Sequence, residues 1–164
     1  MIISSVPSSH APFSCLRVFL CVGCFLFLAC SEVELKNPEE YARFERVVDA
    51  VNTLEQAYVK QDMEGIRNLL LPLDSLSHWQ QEVQRDFQAY ADISLDLVID
   101  RVEIDGDLIS VYVSWRGVWK RTNDGAGFLA RGEGILHWNG TQVILLSGVE
   151  GDLPFGMADR QSVS

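Results

Sequence analysis

At Ile93 the apolar residues of this chain change their spacing, and that change restricts the possible folds more than any other feature. Before it, Tyr41, Phe44, Val47, Val48, Val51, Leu54 and Tyr58 recur every three or four residues, which lays one apolar stripe along a helix. After it, Ile109, Val111, Val113, Trp115 and Trp119 hold odd positions, which puts them on one face of a strand. Helices gathered in one half and strands in the other predict the α+β class with an antiparallel sheet.

The helical half divides at its caps and breakers. Asn37 can cap, Pro38 suits a first helical position, and Glu39 and Glu40 face the positive end of the dipole, so a helix is expected from there to about Lys60. Asp62 is expected to cap a short second helix carrying Ile66, Leu69 and Leu70, which Pro72 ends. Ser77 and Gln80 resemble a capping box for a third helix, whose apolar face is Trp79, Val83, Phe87 and Tyr90.

In the strand half, 94–104 reads as one strand, Asp105-Gly106-Asp107 as a hairpin turn and 108–121 as a long second strand. A polar loop, 122–127, leads to a third strand over 128–138, then a type I′ turn at Asn139-Gly140 and a fourth strand over 141–149. Gly117, Gly132 and Gly134 interrupt these strands, as glycines do at bulges and sharp curvature. The expectation is a strongly curved antiparallel meander of four or more strands, cone-shaped, with the N-terminal helices packed on its concave side. The domain is assigned to 38–156, and 157–164 to a disordered tail.

All four cysteines, Cys15, Cys21, Cys24 and Cys30, precede this domain. Cys30 closes an apolar run that begins at Val18 and is too short to cross a hydrocarbon core of about 30 Å as a helix. With Arg17 ahead of it and an abrupt polar turn at Ser31-Glu32, the run reads as an export signal. Phe27-Leu28-Ala29-Cys30 resembles the lipobox of bacterial lipoproteins: Ala29 and Cys30 match it, while Phe27 and Leu28 depart from the preferred types. The resemblance implies a signal peptide over 1–29, lipidation of Cys30, and a polar tether over 30–37. Cleavage before Cys24, or an uncleaved or ordinarily processed signal, stays open. So does the true start codon, because Met1 to Leu16 is long and poorly charged for an n-region. Lipidation would hold the domain in the bacterial cell envelope facing the periplasm, with Ser31 after the cysteine favouring the outer membrane.

Loss of residues 1–29 removes Arg17 and leaves 12 basic against 23 acidic residues, a net charge of −11. Such acidity opposes binding to phosphate backbones, so nucleic acid is excluded as a partner. With Cys30 acylated, the mature chain has no thiol for disulfides, cysteine-type zinc sites or nucleophilic catalysis.

Two segments resemble the nuclear transport factor 2-like, or cystatin-like cone, superfamily, which includes ketosteroid-isomerase-like enzymes. They are Ala57-Tyr58-Val59-Lys60-Gln61-Asp62-Met63-Glu64-Gly65-Ile66-Arg67-Asn68-Leu69-Leu70, a helix end with an acidic turn and short apolar helix, and the late run Gly132-Glu133-Gly134-Ile135-Leu136-His137-Trp138-Asn139-Gly140. The likeness spans roughly residues 40 to 150. It implies a cone with a pocket between sheet and long helix, in a superfamily that holds isomerases, dehydratases and many domains without catalysis.

No catalytic residue is assigned. An isomerase site of this kind needs a carboxylate base with a Tyr and Asp donor pair, yet Leu54 stands where the resemblance would place the tyrosine, and the inward residues of the second strand include no carboxylate. His78 and His137 are far apart, with no His-x-x-x-His pair, so no metal and no cofactor are expected. Asp105-Gly106-Asp107 lacks the closing Glu of a calcium loop. Leu54, Tyr58, Trp79, Trp115 and Trp119 are the residues that could line a pocket, with core packing the competing role. The opposite strand face, with Tyr112, Arg116, Val118 and Lys120, could meet a second copy or an envelope protein. The expected function is a non-catalytic ligand-binding or protein-assembly module, the alternative being a small-molecule isomerase or hydratase.

Overall fold

A computed structural model describes residues 38–122 and 125–162, with Ser162 known by its backbone alone. The signal run, Cys30, the tether, Asn37 and the middle of the 122–127 loop lie outside the described residues.

Helix α1 spans Pro38–Val59 and buries Val47, Ala50, Val51, Leu54, Ala57 and Tyr58; the predicted stripe is borne out from Val47 onward, while Val48 is half-buried and Tyr41 and Phe44, in the first turns, stay exposed. The short helix α2, Met63–Asn68, is capped by Asp62, whose side chain accepts from the Gly65 N–H at 2.9 Å. It ends earlier than the position of Pro72 implies, because Leu69 and Leu71 turn to pair with β4 instead. Helix α3, Ser77–Ala89, grows directly out of a 3-10 turn at Asp74–Leu76. Its cap position is Leu76, which makes no side-chain cap bond, so the expected Ser77 capping box is not formed: Ser77 is already inside the helix.

Strands β1 (Asp92–Asp105), β2 (Leu108–Lys120), β3 (Phe128–Asn139) and β4 (Leu145–Gly151) form one antiparallel sheet in the order β1-β2-β3-β4. This is the α+β meander expected from the sequence. The β1–β2 hairpin closes tightly, with Asp105 opposite Leu108 and Gly106 at φ +55°. The β3–β4 connection is longer than the predicted type I′ turn, since Asn139 pairs with Leu145. A type I′ turn needs positive φ at both central residues, and here Gly140 has it, at +124°, while Asn139 does not.

The register shifts fall between Ile99 and Arg101 and between His137 and Trp138, not at Gly117, Gly132 or Gly134. Gly117, Gly132 and Gly134 serve close packing instead. A Cβ on Gly117 would lie 2.6 Å from the Trp119 ring, one on Gly132 2.9 Å from the Trp115 ring, and one on Gly134 2.6 Å from Leu153. Large rings on β2 therefore lie over bare backbone on the same sheet.

The exposed edge of β4 is covered by the segment after α2: the Leu71 N–H donates to the Leu146 carbonyl at 2.8 Å, and the Leu146 N–H to the Leu69 carbonyl at 2.7 Å. The expected disordered tail is corrected for most of its length. Residues Met157–Ser162 form a last helix, α4, with Met157 buried. Arg85 on α3 grips Asp159 on α4 with Nε at 2.8 Å and Nη2 at 2.6 Å.

Candidate functional site

The five predicted pocket residues come together, but as core. Leu54 and Tyr58 project from α1, Trp79 from α3, and Trp115 and Trp119 from the inner face of β2, all of them buried. The tryptophans of β2 meet edge to face, with centroids 5.9 Å apart. Phe155, which sequence reasoning did not single out, wedges between helices and sheet: its ring lies edge-on to Tyr58 at 4.9 Å and to Trp79 at 5.0 Å.

Around Tyr58 the core turns polar. The hydroxyl lies 2.7 Å from Asp86 Oδ2 and 2.9 Å from the Pro154 carbonyl oxygen, and it accepts from Trp119 Nε1 at 3.1 Å. Asp86, on the inner side of α3, is fully buried. Its Oδ2 also accepts from the Gly156 N–H, and Oδ1 from the Ala158 N–H, each at 2.7 Å. Burial pushes the Asp86 carboxyl up from its ordinary value, and the donors from Tyr58 and the backbone of Ala158, Gly156 and Met157 pull against that. Burial first, then the Asp86 charge, holds the Tyr58 hydroxyl well above its ordinary range. The sequence places Asp86 on a polar-looking stretch, Gln84-Arg85-Asp86. Its one signal is position: three residues after Val83 and four before Tyr90, it shares their apolar face.

A carboxylate opposite a tyrosine is what proton-transfer chemistry would require. Here, however, the partners on the far side of both groups are the chain's own backbone at Pro154, Gly156 and Ala158. The Trp115 indole likewise donates to the Asp152 carbonyl at 2.6 Å. The segment from Asp152 to α4 occupies the place where a ligand would meet this pair, and Arg160 fixes that segment by pairing with Asp152 and donating to the Leu153 and Phe155 carbonyls.

A second cluster escaped the sequence reading because its members lie on three strands. Ser110 Oγ and His137 Nδ1 are 3.3 Å apart, and His137 Nε2 lies 3.3 Å from Glu150 Oε2. Serine, histidine and acid follow one another as in a nucleophilic relay. Ser110 nevertheless lies directly opposite His137 on the outward face of the sheet, between buried Ile109 and Val111. Ladder amides there bond across the strands, so the arrangement supplies no donors for an oxyanion. His78 is exposed, within 3.3 Å of Glu82 one helical turn on. Among the described residues no three of His, Cys, Asp and Glu are grouped to hold a metal ion.

The outward sheet face is the other concentration of chemistry. Leu129 is 70% exposed and Val98 49%. Between them Arg116 on β2 stands opposite Arg131 on β3, a like-charged cross-strand pair that costs stability unless an anion joins it. Asp96 answers Arg116 at 3.0 Å, whereas Arg131 forms no ion pair among the described residues. A shallow hollow of about 410 Å³ lies over Asp96, Val98, Ser114, Arg116 and Arg131. Charges of both signs share the face: Asp92, Asp96, Asp100, Arg101 and Glu103 on β1, Arg116 and Lys120 on β2, and Arg131 and Glu133 on β3, with Asp96–Arg116, Asp92–Lys120 and Arg101–Glu103 paired.

No protein-family model matches the sequence, and no curated protein matches it significantly. Solved structures do match. A Kribbella flavida protein aligns with a TM-score of 0.60 at 14% identity over 74% of this chain and 99% of its own. A nuclear transport factor 2-like superfamily protein from Salmonella enterica serovar Typhimurium gives 0.57 at 11% over 70% and 94%. A candidate dehydratase of the same family from Streptomyces avermitilis gives 0.55 at 14% over 68% and 98%. At such identities the likeness speaks for the backbone alone, and together with the observed order of helices and meander it identifies the described domain as having the nuclear transport factor 2-like fold.

Proposed function

We propose that the chain is an envelope lipoprotein, acylated at Cys30 and facing the periplasm, whose domain is a non-catalytic assembly module working through the outward sheet face. The observation that carries this reading is the contrast between the two sides of the sheet. The concave side is filled by Trp115, Trp119, Phe155 and the Asp152–Ser162 segment. The outward side exposes Leu129 and Val98 around Arg131. Arg131, with no ion pair among the described residues, can take a carboxylate from a second copy, and an acidic surface on another envelope protein would fit equally.

Sedimentation of the Cys30→Ser protein tests the face. A self-associating species is expected, with Leu129→Asp or Arg131→Glu weakening it at least about tenfold. A strict monomer that pulls down no envelope protein through this face would overturn the assembly reading. For the anchor, fatty-acid label should follow Cys30, and a Cys30→Ser chain that still takes up label would overturn the lipidation. A small-molecule isomerase or hydratase, the weaker reading, would have to use Tyr58 and Asp86, and it requires the C-terminal segment to leave them.

A further inference from the structure

We infer that the end of the domain nearest the tether is a lipid-docking surface, formed by Tyr41 and Phe44 on α1, Ile104 and Leu108 at the β1–β2 hairpin, and Val143 in the β3–β4 loop. The inference rests on the proposed acylation of Cys30.

These five make up most of the large apolar side chains left exposed in the described domain: Tyr41 48%, Phe44 41%, Ile104 41%, Leu108 61% and Val143 67%. Five backbone and side-chain relationships place them at one end. Arg43 Nη2 donates to the Gly140 carbonyl at 2.8 Å and Arg46 Nε to the Thr141 carbonyl at 2.9 Å. Gln142 Nε2 reaches Glu39 at 3.4 Å, so the first turns of α1 and the β3–β4 loop are tied together. The Gly140 N–H donates to the Asp107 carbonyl at 2.9 Å, and Leu108 pairs with Asn139, which brings in the hairpin.

The position of this end selects its occupant. Seven residues separate Cys30 from Pro38, and even fully extended they place the start of α1 no more than about 29 Å from the acylated cysteine. The opposite end, at Lys60, lies a further 22-residue helix away, about 33 Å at the usual rise. The anchor therefore keeps the α1 start within about 29 Å of the bilayer, while the far end can lie up to a helix length beyond it. Two aromatic and three aliphatic side chains there suit the boundary between headgroups and acyl chains. Glu39, Glu40, Glu45, Asp105 and Asp107 share this end with Arg43 and Arg46, so the favoured surface is zwitterionic phospholipid, and anionic headgroups weaken the contact.

Amide hydrogen exchange on the mature lipoprotein tests this, comparing phosphatidylcholine vesicles with detergent micelles, with intact mass reading the acyl chains on Cys30. Peptides covering 38–46, 104–109 and 140–144 should exchange at least about threefold more slowly on vesicles, while those covering 118–122 and 125–129 stay unchanged. A Tyr41→Asp/Phe44→Asp/Val143→Asp variant should still sediment with vesicles through its lipid, yet lose the protection. An acylated protein that sediments but shows no slowing at these three segments overturns the docking surface alone. A protein with no acyl mass that stays in solution overturns the anchor. In that event the same measurement, on residues 31–164 within a chain held by an N-terminal His-tag on nickel-chelating lipid, still decides the docking.

Discussion

The Tyr58 hydroxyl lies 2.7 Å from the buried Asp86 carboxylate and 2.9 Å from the Pro154 carbonyl oxygen, so one proton faces two acceptors. The ionised Asp86 accepts that hydrogen bond in competition with the Pro154 oxygen. Burial raises the Asp86 carboxyl, and the Tyr58 donor, which bonds the ionised form, pulls against that.

The first prediction concerns Asp86 as the staple for the C-terminal segment. Asp86→Ala removes the acceptor of the Tyr58 hydroxyl and of the Gly156 and Ala158 amides, three donors in a dry setting. The expected loss is about 3 kcal/mol of unfolding free energy. Urea denaturation measures it, and amides 156–158 should lose exchange protection well before those of β2. A variant as stable as the parent would show that Phe155, Met157, Arg160 and the Arg85–Asp159 pair hold the segment without Asp86.

The pH dependence has a definite sign. Because the folded Asp86 carboxyl is raised above its unfolded value, the folded state holds more protons than the unfolded state between the two. Stability contributed by that proton is fully present below the unfolded value, near pH 4, and is lost as pH rises through the folded one. Tyr58→Phe deletes a donor that pulls the carboxyl down, so the carboxyl should titrate still higher in that variant. Carbon-13 titration of the Asp86 side chain reads this, and a downward move would refute the assignment of cause.

Packing under the sheet gives a prediction with an internal control. A Cβ on Gly117 would lie 2.6 Å from Trp119 Cη2 and 2.9 Å from the Ser94 carbonyl oxygen; the backbone cannot give way as a flexible tip can. Gly117→Ala should cost about 1–3 kcal/mol. Gly148→Ala meets only the His137 side chain at 3.6 Å, an ordinary contact, and should stay within about 0.5 kcal/mol of the parent. Equal losses at the two positions would mean that glycine flexibility, not ring packing, governs both.

How much of this was legible in the sequence follows from which interactions are local. The α1 stripe, the Asp62 cap and the odd-position face of β2 are set by neighbours within one element, and spacing reveals them. The β3–β4 connection was misread because Asn139-Gly140 favours a tight turn locally, while tertiary bonds from Arg43 and Arg46 hold residues 140 and 141 in a wider loop. The last helix was missed for a related reason. Six residues carry little helical preference of their own, and what orders them is Asp86, Arg85 and the burial of Phe155 and Met157, all distant in the chain. The five aromatic and aliphatic candidates are buried, but sequence spacing does not distinguish residues that line a cavity from residues that fill one; Phe155 fills the space between Tyr58 and Trp79.

The Ser110–His137–Glu150 relay makes the final prediction, since proximity alone would suggest a hydrolase. A serine nucleophile needs its proton removed and its developing oxyanion bound, and removing one oxyanion donor alone costs about 100-fold or more. Ser110 lies on the outward face of paired strands, whose amides are committed to the ladder. Hydrolysis of p-nitrophenyl acetate by this protein should therefore be unchanged in Ser110→Ala and fall in part in His137→Ala and in His78→Ala, because accessible imidazoles attack activated esters without help. A Ser110→Ala variant that lost the activity, together with an acyl adduct on Ser110 by mass spectrometry, would instead establish a nucleophilic serine on the open sheet face.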